Sequence, residues 1–165
     1  MKSGVRREIP VPGSLAPSLD FCGIEGKALS LAEILKSGPT ILFFYKASCP
    51  ICQFTAPYLE RMYETPGRKD VQFFAVSQDD ADTAREFSRD FGITFPTLLD
   101  EEERSYPASN AFGISHVPST FLIDTDGIIS WALDGFSKTE FEELGRRVEA
   151  PPFLTGEYVP SWKAG

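Results

Sequence analysis

The sequence is poor in the residues that build metal clusters and disulfide scaffolds, and it has no long apolar run. It has three cysteines and one histidine among 165 residues. A structural zinc site usually needs four ligands, and three cysteines are too few for a disulfide-stapled scaffold. We therefore expect no metal and no other cofactor. No run approaches the roughly 18–20 apolar residues that cross a bilayer, which predicts no membrane insertion.

Positive charge is also scarce, because 16 Lys and Arg residues face 24 Asp and Glu residues, for a formal net charge of −8. Such a surface repels phosphate backbones and anionic lipid heads, so nucleic acid and membrane surfaces are not expected partners. The first 17 residues are basic but lack the apolar run of a signal peptide. We therefore expect a cytoplasmic protein as the sequence stands, or an exported one if a signal segment has been removed.

What the chain does have is 42% hydrophobic residues, including 14 phenylalanines, which is enough for one well-filled core. Strand-like and helix-like segments alternate along it. This order predicts an α/β fold with a central mixed sheet, helices on both faces and a C-terminal β-hairpin plus helix. We divide the chain into a flexible N-terminal lead-in over 1–13, a domain over 14–150 and a C-terminal tail over 151–165.

The expected elements follow from apolar runs and from the Gly, Pro and capping residues between them. After a small hairpin within 14–31 and a short helix at 31–35, the expected strands are 40–45, 71–76, 96–99, 119–124 and 128–133. The expected helices run from 50 to about 65, from just after 79 or 80 to 91, from 106 to 112 and from 140 to about 149.

The motif with the clearest chemistry is Cys49-Pro50-Ile51-Cys52. It follows the continuous apolar run Thr40–Tyr45 and opens a helix, since Pro50 fits a first turn, where its missing N–H costs nothing. The N–H groups and dipole at a helix start stabilise a thiolate, the attacking species in disulfide exchange. Cys52, one turn further, is near enough to resolve a mixed disulfide. The alternatives are a zinc half-site, for which the chain has no second Cys pair, and a purely structural pair.

Three segments also carry a family resemblance. Phe43–Cys52 resembles the active-site segment of thioredoxin-like disulfide oxidoreductases, and Pro57 matches the proline that kinks their active-site helix. Val117–Asp124 looks like the cis-proline segment and the strand after it. Phe95–Asp100, followed by Phe112–Ile114, is similar to the redoxin branch. That branch groups bacterial thiol–disulfide oxidoreductases with the alkyl hydroperoxide reductase/thiol-specific antioxidant family.

The resemblance implies roles for four residues. Cys49 would be the nucleophile, Cys52 the resolving thiol and Pro118 the cis-proline. The backbone at Val117 would face the cysteines and pair with an extended substrate, a form of strand addition. Separately, the position of His116 two residues before Pro118 predicts that it borders this site and tunes Cys49 or binds substrate, although a surface histidine with no task is an equal alternative. The expected partners are a protein disulfide and a thiol electron donor or acceptor.

Three positions depart from the family pattern. Ser48 stands where tryptophan usually precedes the first cysteine, and Phe43 stands where many relatives have a buried acid or amide. Thr55 replaces a glutamate that is frequent in the redoxin branch. No carboxylate is therefore evident to take the proton from Cys52, so water or an acid from elsewhere must do so.

Three functions remain open. The first is a thiol–disulfide oxidoreductase. The second is a peroxiredoxin-like thiol peroxidase with antioxidant activity, but its Pro-x-x-x-Thr-x-x-Cys signature meets Leu42 and Lys46 when it is set on Cys49. Set on Cys52, the signature meets Tyr45 where proline is needed, so both registers fail. The third is a non-catalytic thioredoxin-fold adaptor, against which the retention of both cysteines argues.

Three further features have plain structural interpretations. Cys22 is expected to be a small buried hydrophobe, with a distant third thiol as the alternative. The acidic run 100–103 is expected to be a solvated loop. Tyr158, Pro160 and Trp162 in the tail are expected to dock on the body of the domain, with partner contact as the alternative.

Overall fold

The computed structural model describes residues 8–165, so the first seven residues of the expected lead-in lie outside the described part. The strands are β1 Asp20–Gly23, β2 Ala28–Ser30, β3 Thr40–Tyr45, β4 Gln72–Ser77, β5 Thr97–Leu99, β6 Ser119–Ile123, β7 Ile129–Asp134, β8 Phe136–Ser137 and β9 Trp162–Lys163. The helices are α1 Leu31–Lys36, α2 Pro50–Tyr63, α3 Ala81–Phe91, α4 Pro107–Ala111 and α5 Lys138–Val148, with a 3-10 turn at Glu102–Arg104.

Seven strands form one mixed sheet in the order β2-β1-β5-β4-β3-β6-β7. The three central strands β5, β4 and β3 are parallel, whereas β6 runs antiparallel to β3, and β7 runs antiparallel to β6. All six residues of β3 are buried, as expected for a strand covered on both faces. The chain leaves β3 at its carboxyl end and enters α2 after a loop of four residues, 46–49.

Alternation along β3 divides the core into two layers. Phe43 and Tyr45 face a cluster that includes residues of α2, α3 and α5. Leu42 and Phe44 face the opposite cluster, which includes residues of α1 and α4. This two-sided covering is the expected α/β architecture, and it places α2 directly against the central strand.

Local capping explains where the helices begin and end. The Asp80 carboxylate accepts the N–H of Thr83 at the start of α3, and Gly92 ends that helix in the left-handed region at φ 68°. Ser137 caps α5 by accepting the N–H of Glu140, so α5 starts two residues before its expected start. These are the residue types that the two kinds of helix end favour.

The expectation of a solvated loop at 100–103 is wrong at its first residue. The Asp100 side chain accepts the N–H groups of Ala108 and Ser109 at 2.7 and 2.8 Å, and also the Ser109 hydroxyl. Asp100 is therefore buried, because the unpaired donors at the start of α4 satisfy its charge. The other three residues of the run are exposed or half-exposed, in keeping with the expectation.

The tail is attached to the domain, but not through the two aromatic side chains expected to dock, since Tyr158 is 89% and Trp162 65% exposed. The tail also contains a strand that the sequence analysis missed. β9 pairs antiparallel with β8, in the register Phe136↔Lys163 and Ser137↔Trp162. Arg61 of α2 also forms two hydrogen bonds with the Glu157 carboxylate, at 2.7 and 3.1 Å. The tail is thus attached both to α2 and to the segment that follows β7.

Candidate active site

Cys49 occupies the position just before the first turn of α2. Its backbone is extended, with φ −82° and ψ 116°, and its sulfur accepts the backbone N–H of Cys52 at 3.2 Å. Pro50 takes the first helical position, as expected, so it removes no hydrogen bond. The half-buried Cys49 sulfur therefore lies at the positive end of the helix, where a bonded N–H stabilises a thiolate.

Cys52 lies one turn into α2 and is fully buried. Burial raises the pKa of its thiol, and its side-chain hydrogen bond with Cys49 raises it further. No disulfide joins the two cysteines. The two sulfurs therefore differ in kind, since one is accessible at the helix start and the other is a shielded, protonated group held beside it.

The loop before β6 faces this pair. The Val117–Pro118 peptide bond is cis, as expected from the resemblance. The Val117 carbonyl oxygen lies 3.6 Å from the Cys49 sulfur. The Gly135 N–H donates to the Pro118 carbonyl at 2.8 Å, which fixes this loop to the end of β7. The structure thus brings together Cys49, Cys52, Val117 and Pro118, the four residues to which the resemblance gives central roles.

Two side chains that the sequence analysis did not place in the site hold the loop between β3 and Cys49. The Asp79 carboxylate accepts the Ala47 N–H at 2.7 Å, and the Gln53 amide donates to the Ala47 carbonyl at 2.8 Å. Both backbone groups of Ala47 are therefore bonded. An acidic doublet directly after a buried strand was the available signal for Asp79, but the sequence analysis considered it only as a helix cap.

The two positions where relatives have an acid or amide hold no such group here. Phe43 stacks on the ring of Tyr45 with 5.6 Å between centroids, and the Thr55 hydroxyl donates to the Ile51 carbonyl at 2.7 Å. Tyr45 is fully buried, and burial raises the pKa of its hydroxyl to about 12. Its hydroxyl has no hydrogen-bond partner among the described residues. Neither Phe43 nor Thr55 therefore supplies a carboxylate or an amide that could take the proton from Cys52.

Three other residues expected in the site are Pro57, Ile51 and His116. Pro57 is an exposed residue inside α2, and Ile51 is half-buried between the two cysteines. The ring of His116 is about half exposed, and its Nδ1 lies 3.1 Å from the Ser115 hydroxyl and 4.0 Å from the Asp134 carboxylate. These contacts are with its neighbour Ser115 and with the last residue of β7, so the role expected of His116 at Cys49 stays a prediction.

Cys22 is half-buried on β1, where its backbone pairs with Leu99 and Ala28. The strand order places β5 and β4 between β1 and β3. Three inter-strand steps of about 4.8 Å put it roughly 14 Å from β3, which leads to Cys49. A disulfide needs Cα atoms within about 7 Å, so Cys22 does not belong to the Cys49–Cys52 site.

Among residues 8–165, no group of three or more His, Cys, Asp and Glu side chains is arranged to hold a metal ion. Likewise, no helix in the described part of the chain is both long enough and apolar enough to cross a bilayer.

A Cys-x-x-Cys pair at the start of a helix, facing a cis-proline loop on a mixed sheet, defines a thioredoxin-like redox domain. The model of the AhpC/TSA family matches residues 12–132, so the chain belongs to the AhpC/TSA family. This confirms the redoxin branch expected from the sequence.

Individual relatives agree with this assignment. The thiol-disulfide oxidoreductase ResA of Geobacillus thermodenitrificans is 29% identical over 124 residues, which cover 74% of this chain and 69% of that protein. ResA of Bacillus anthracis is 30% identical over 116 residues, covering 70% of this chain and 65% of that protein. The chain thus spans about two thirds of the length of these curated relatives.

A solved structure supports the fold. The thioredoxin domain of a thiol-disulfide oxidoreductase from Bacteroides vulgatus has a TM-score of 0.72 at 20% identity, covering 84% of this chain and 99% of that one. At this identity the likeness bears on the fold alone, and it confirms the expected thioredoxin-like architecture. The ResA relatives agree with the expected reaction class, that of an oxidoreductase acting on thiols and disulfides.

Proposed function

We propose that this domain exchanges a Cys49/Cys52 dithiol with disulfides in protein substrates through a mixed-disulfide intermediate. The observation that supports this most directly is the asymmetry of the two sulfurs. Cys49 is accessible and accepts an N–H at the helix start, whereas Cys52 is buried and held in its protonated form. Disulfide exchange needs this pairing of an attacking thiolate with a nearby second thiol.

The reaction proceeds in two displacements. The Cys49 thiolate attacks one sulfur of the substrate disulfide, a new S–S bond forms, and the second substrate sulfur leaves as a thiolate that takes up a proton. Cys52 then loses its proton and attacks the Cys49 sulfur, which releases the first substrate sulfur as a thiolate. Two electrons pass to the substrate, and the domain is left with a Cys49–Cys52 disulfide. A dithiol donor must return those electrons.

The proton that leaves Cys52 has no carboxylate acceptor at the positions of Phe43 and Thr55. The negative charge of Asp79 contributes to raising the pKa of the Cys52 thiol. Its carboxylate is already bonded to Ala47, so we assign it a positioning and electrostatic role. Solvent is the proton acceptor in this scheme.

The thiol peroxidase alternative lacks support at the site. Leu42 is fully buried in the core cluster on the side of the sheet away from α2, and Lys46 is an exposed residue without the threonine hydroxyl of the peroxidase signature. Peroxide reduction needs donors that stabilise the leaving oxygen as the O–O bond breaks. We therefore expect Cys49 to react with peroxide only as an ordinary thiolate does.

Two assays on one preparation test the proposal. The wild-type protein should reduce insulin disulfides with dithiothreitol as electron donor, and Cys49→Ser should abolish this catalysis. Hydrogen peroxide consumption that depends on Cys49 should be slow. Rapid peroxide turnover with negligible insulin reduction would instead establish the peroxidase, and inactivity in both assays would favour the adaptor.

A trapping experiment identifies the partners. Cys52→Ser removes the resolving thiol, so mixed disulfides between Cys49 and its substrates should accumulate. The matched control is the double variant Cys49→Ser, Cys52→Ser, which should trap nothing. The trapped proteins would reveal both the partners and the compartment in which the domain works.

A further inference from the structure

The segment Trp162–Gly165 runs alongside the cis-proline loop. β9 pairs with β8, and the chain after it packs on Val117. A Cβ atom built on Gly165 would lie 2.7 Å from the Val117 carbonyl oxygen and 3.2 Å from its carbonyl carbon. Both distances are shorter than ordinary contacts, so the Gly165 backbone lies directly against this carbonyl group.

The same carbonyl oxygen lies 3.6 Å from the Cys49 sulfur. Val117 is therefore contacted by the nucleophile and by the Trp162–Gly165 segment. A disulfide under attack must bring one sulfur to within bonding distance of Cys49, about 2.05 Å once the bond has formed. The groups attached to that sulfur must then occupy space that Val117 and Gly165 border on one side.

Three contacts hold this segment in place. Gly135 has φ +81°, and a Cβ there would lie only 2.8 Å from the Lys163 carbonyl oxygen, so the two backbones are in close contact. The Lys163 ammonium lies 5.2 Å from the centre of the Phe54 ring on α2. The Lys138 N–H donates to the Ser161 carbonyl at 3.0 Å. These contacts hold the Trp162–Gly165 segment in place next to Val117.

We propose that the Trp162–Gly165 segment sets the substrate selectivity of Cys49 by restricting the approach of polypeptide chains, so that protein disulfides react more slowly than small ones. This inference rests on the proposed disulfide exchange. A small disulfide presents one sulfur on a short flexible stem, so it can reach Cys49 without contacting the Trp162–Gly165 segment. A disulfide within a protein brings backbone and side chains on both sides of the sulfur, and these meet the Gly165 backbone.

Two variants remove or displace the segment. Deletion of residues 162–165 removes it, and Gly135→Ala displaces it in the full-length chain, because the new methyl group meets the Lys163 carbonyl. The matched control is Gly26→Ala. Gly26 has φ +87°, close to that of Gly135, but a Cβ there meets nothing within 4 Å, so it reproduces the backbone strain without the displacement.

The measurement is the rate at which each reduced protein is oxidised in a single turnover, by insulin and by oxidised glutathione. Samples are quenched with acid, and the thiols that remain on the domain itself are alkylated and counted by mass spectrometry. We expect the ratio of the insulin rate to the glutathione rate to rise about tenfold in the deletion variant, and in the same direction in Gly135→Ala. Gly26→Ala should keep the wild-type ratio.

An unchanged or lower ratio in the deletion variant would overturn the inference, since the segment would then be neutral or would help to bind protein substrates. Equal acceleration with both disulfides would overturn it as well. The reaction of the wild-type protein with oxidised glutathione tests the proposed function separately. Failure of that reaction would refute disulfide exchange itself, whereas a changed ratio speaks only to the segment.

Discussion

The backbone N–H of Ala47 donates to the Asp79 carboxylate at 2.7 Å. This bond ties the loop that precedes Cys49 to the residue two positions past the end of β4. The negative charge of Asp79 also adds to burial in raising the pKa of the Cys52 thiol. One carboxylate therefore acts on the position of the loop before the nucleophile and on the protonation of the resolving thiol.

Substitution of Asp79 should separate these two effects. Asp79→Ala leaves the Ala47 N–H without its acceptor and should lower the free energy of unfolding by about 1–2 kcal/mol. Asp79→Asn keeps an oxygen acceptor and should lose less stability. Both variants remove a negative charge that opposes ionisation of Cys52, so Cys52 should deprotonate at lower pH.

Urea denaturation measures the change in stability. The pH dependence of Cys52 alkylation, in a Cys49→Ser background, measures its deprotonation. An alkylation profile of Asp79→Asn identical to that of the parent would contradict the electrostatic role. Equal stability of Asp79→Ala and the wild type would contradict the positioning role.

The two sulfurs should react with alkylating reagents in a fixed order. Cys49 is partly accessible at the helix start, whereas Cys52 is fully buried and its pKa is raised. With limiting iodoacetamide at neutral pH, we expect the label on Cys49 first, as mapped by peptide mass spectrometry. Cys49→Ser should leave only slow labelling of Cys52 and Cys22. Early labelling of Cys52 in the wild type would reverse the assignment of nucleophile and resolving thiol.

The release of a mixed disulfide should accelerate with pH. Burial raises the pKa of Cys52, so at neutral pH only a small fraction of this thiol is ionised. Below that pKa, the thiolate fraction grows about tenfold per pH unit, and the rate of the second displacement follows it. The rate should therefore rise throughout pH 6–9 without reaching a plateau.

Single-turnover release of thionitrobenzoate from a preformed Cys49 adduct provides the measurement. Cys52→Ser serves as the control and should not release the reporter on this timescale. A plateau below pH 8 would mean that Cys52 ionises far more readily than its burial indicates.

Tyr45→Phe should alter stability at alkaline pH. Burial raises the pKa of Tyr45 from 10.0 to about 12, so between these values the folded chain retains a proton that the unfolded chain has lost. The stability that the protonated Tyr45 contributes is fully present below pH 10 and is lost as the pH rises through 12. By linkage, the wild type should lose about 1 kcal/mol from this residue at pH 11, and Tyr45→Phe should not.

At neutral pH, Tyr45→Phe should be neutral or slightly stabilising, because it removes a buried hydroxyl that has no partner among the described residues. Tyr158→Phe is the matched control, since Tyr158 is 89% exposed. Guanidinium unfolding at pH 8 and pH 11 gives both comparisons. A large loss of stability at pH 8 in Tyr45→Phe would point to a hydroxyl contact of structural importance.

Local signals predicted most of the fold. The apolar run Thr40–Tyr45, the Asp80 cap and the terminal Gly92 each act within a few residues, so their elements appear at nearly the expected bounds. The position of Cys49 and Cys52 at the helix start was likewise local, since Pro50 fixes the first turn. The thioredoxin-like fold and the thiol–disulfide oxidoreductase class expected from these signals are confirmed.

Distant pairings could not be predicted from the sequence. The strand Trp162–Lys163 is two residues long and follows a proline, so it has no periodic pattern, and it exists only because β8 offers a partner edge. Asp100 looked solvated because the donors that bury it belong to residues eight and nine positions later. The bond between Asp79 and Ala47 spans 32 residues and depends on β3 and β4 being parallel neighbours.

The position of Cys22 on β1 limits which disulfide the folded domain can form. Three cysteines allow three pairings, but the strands between β1 and β3 leave Cys22 out of reach of the other two in the folded domain. Oxidation of the native chain thus leads to a single isomer and leaves one free sulfhydryl. That leftover group offers an attachment point for a spectroscopic label, about 14 Å from the central strand, through which turnover can be followed without occupying the reactive pair.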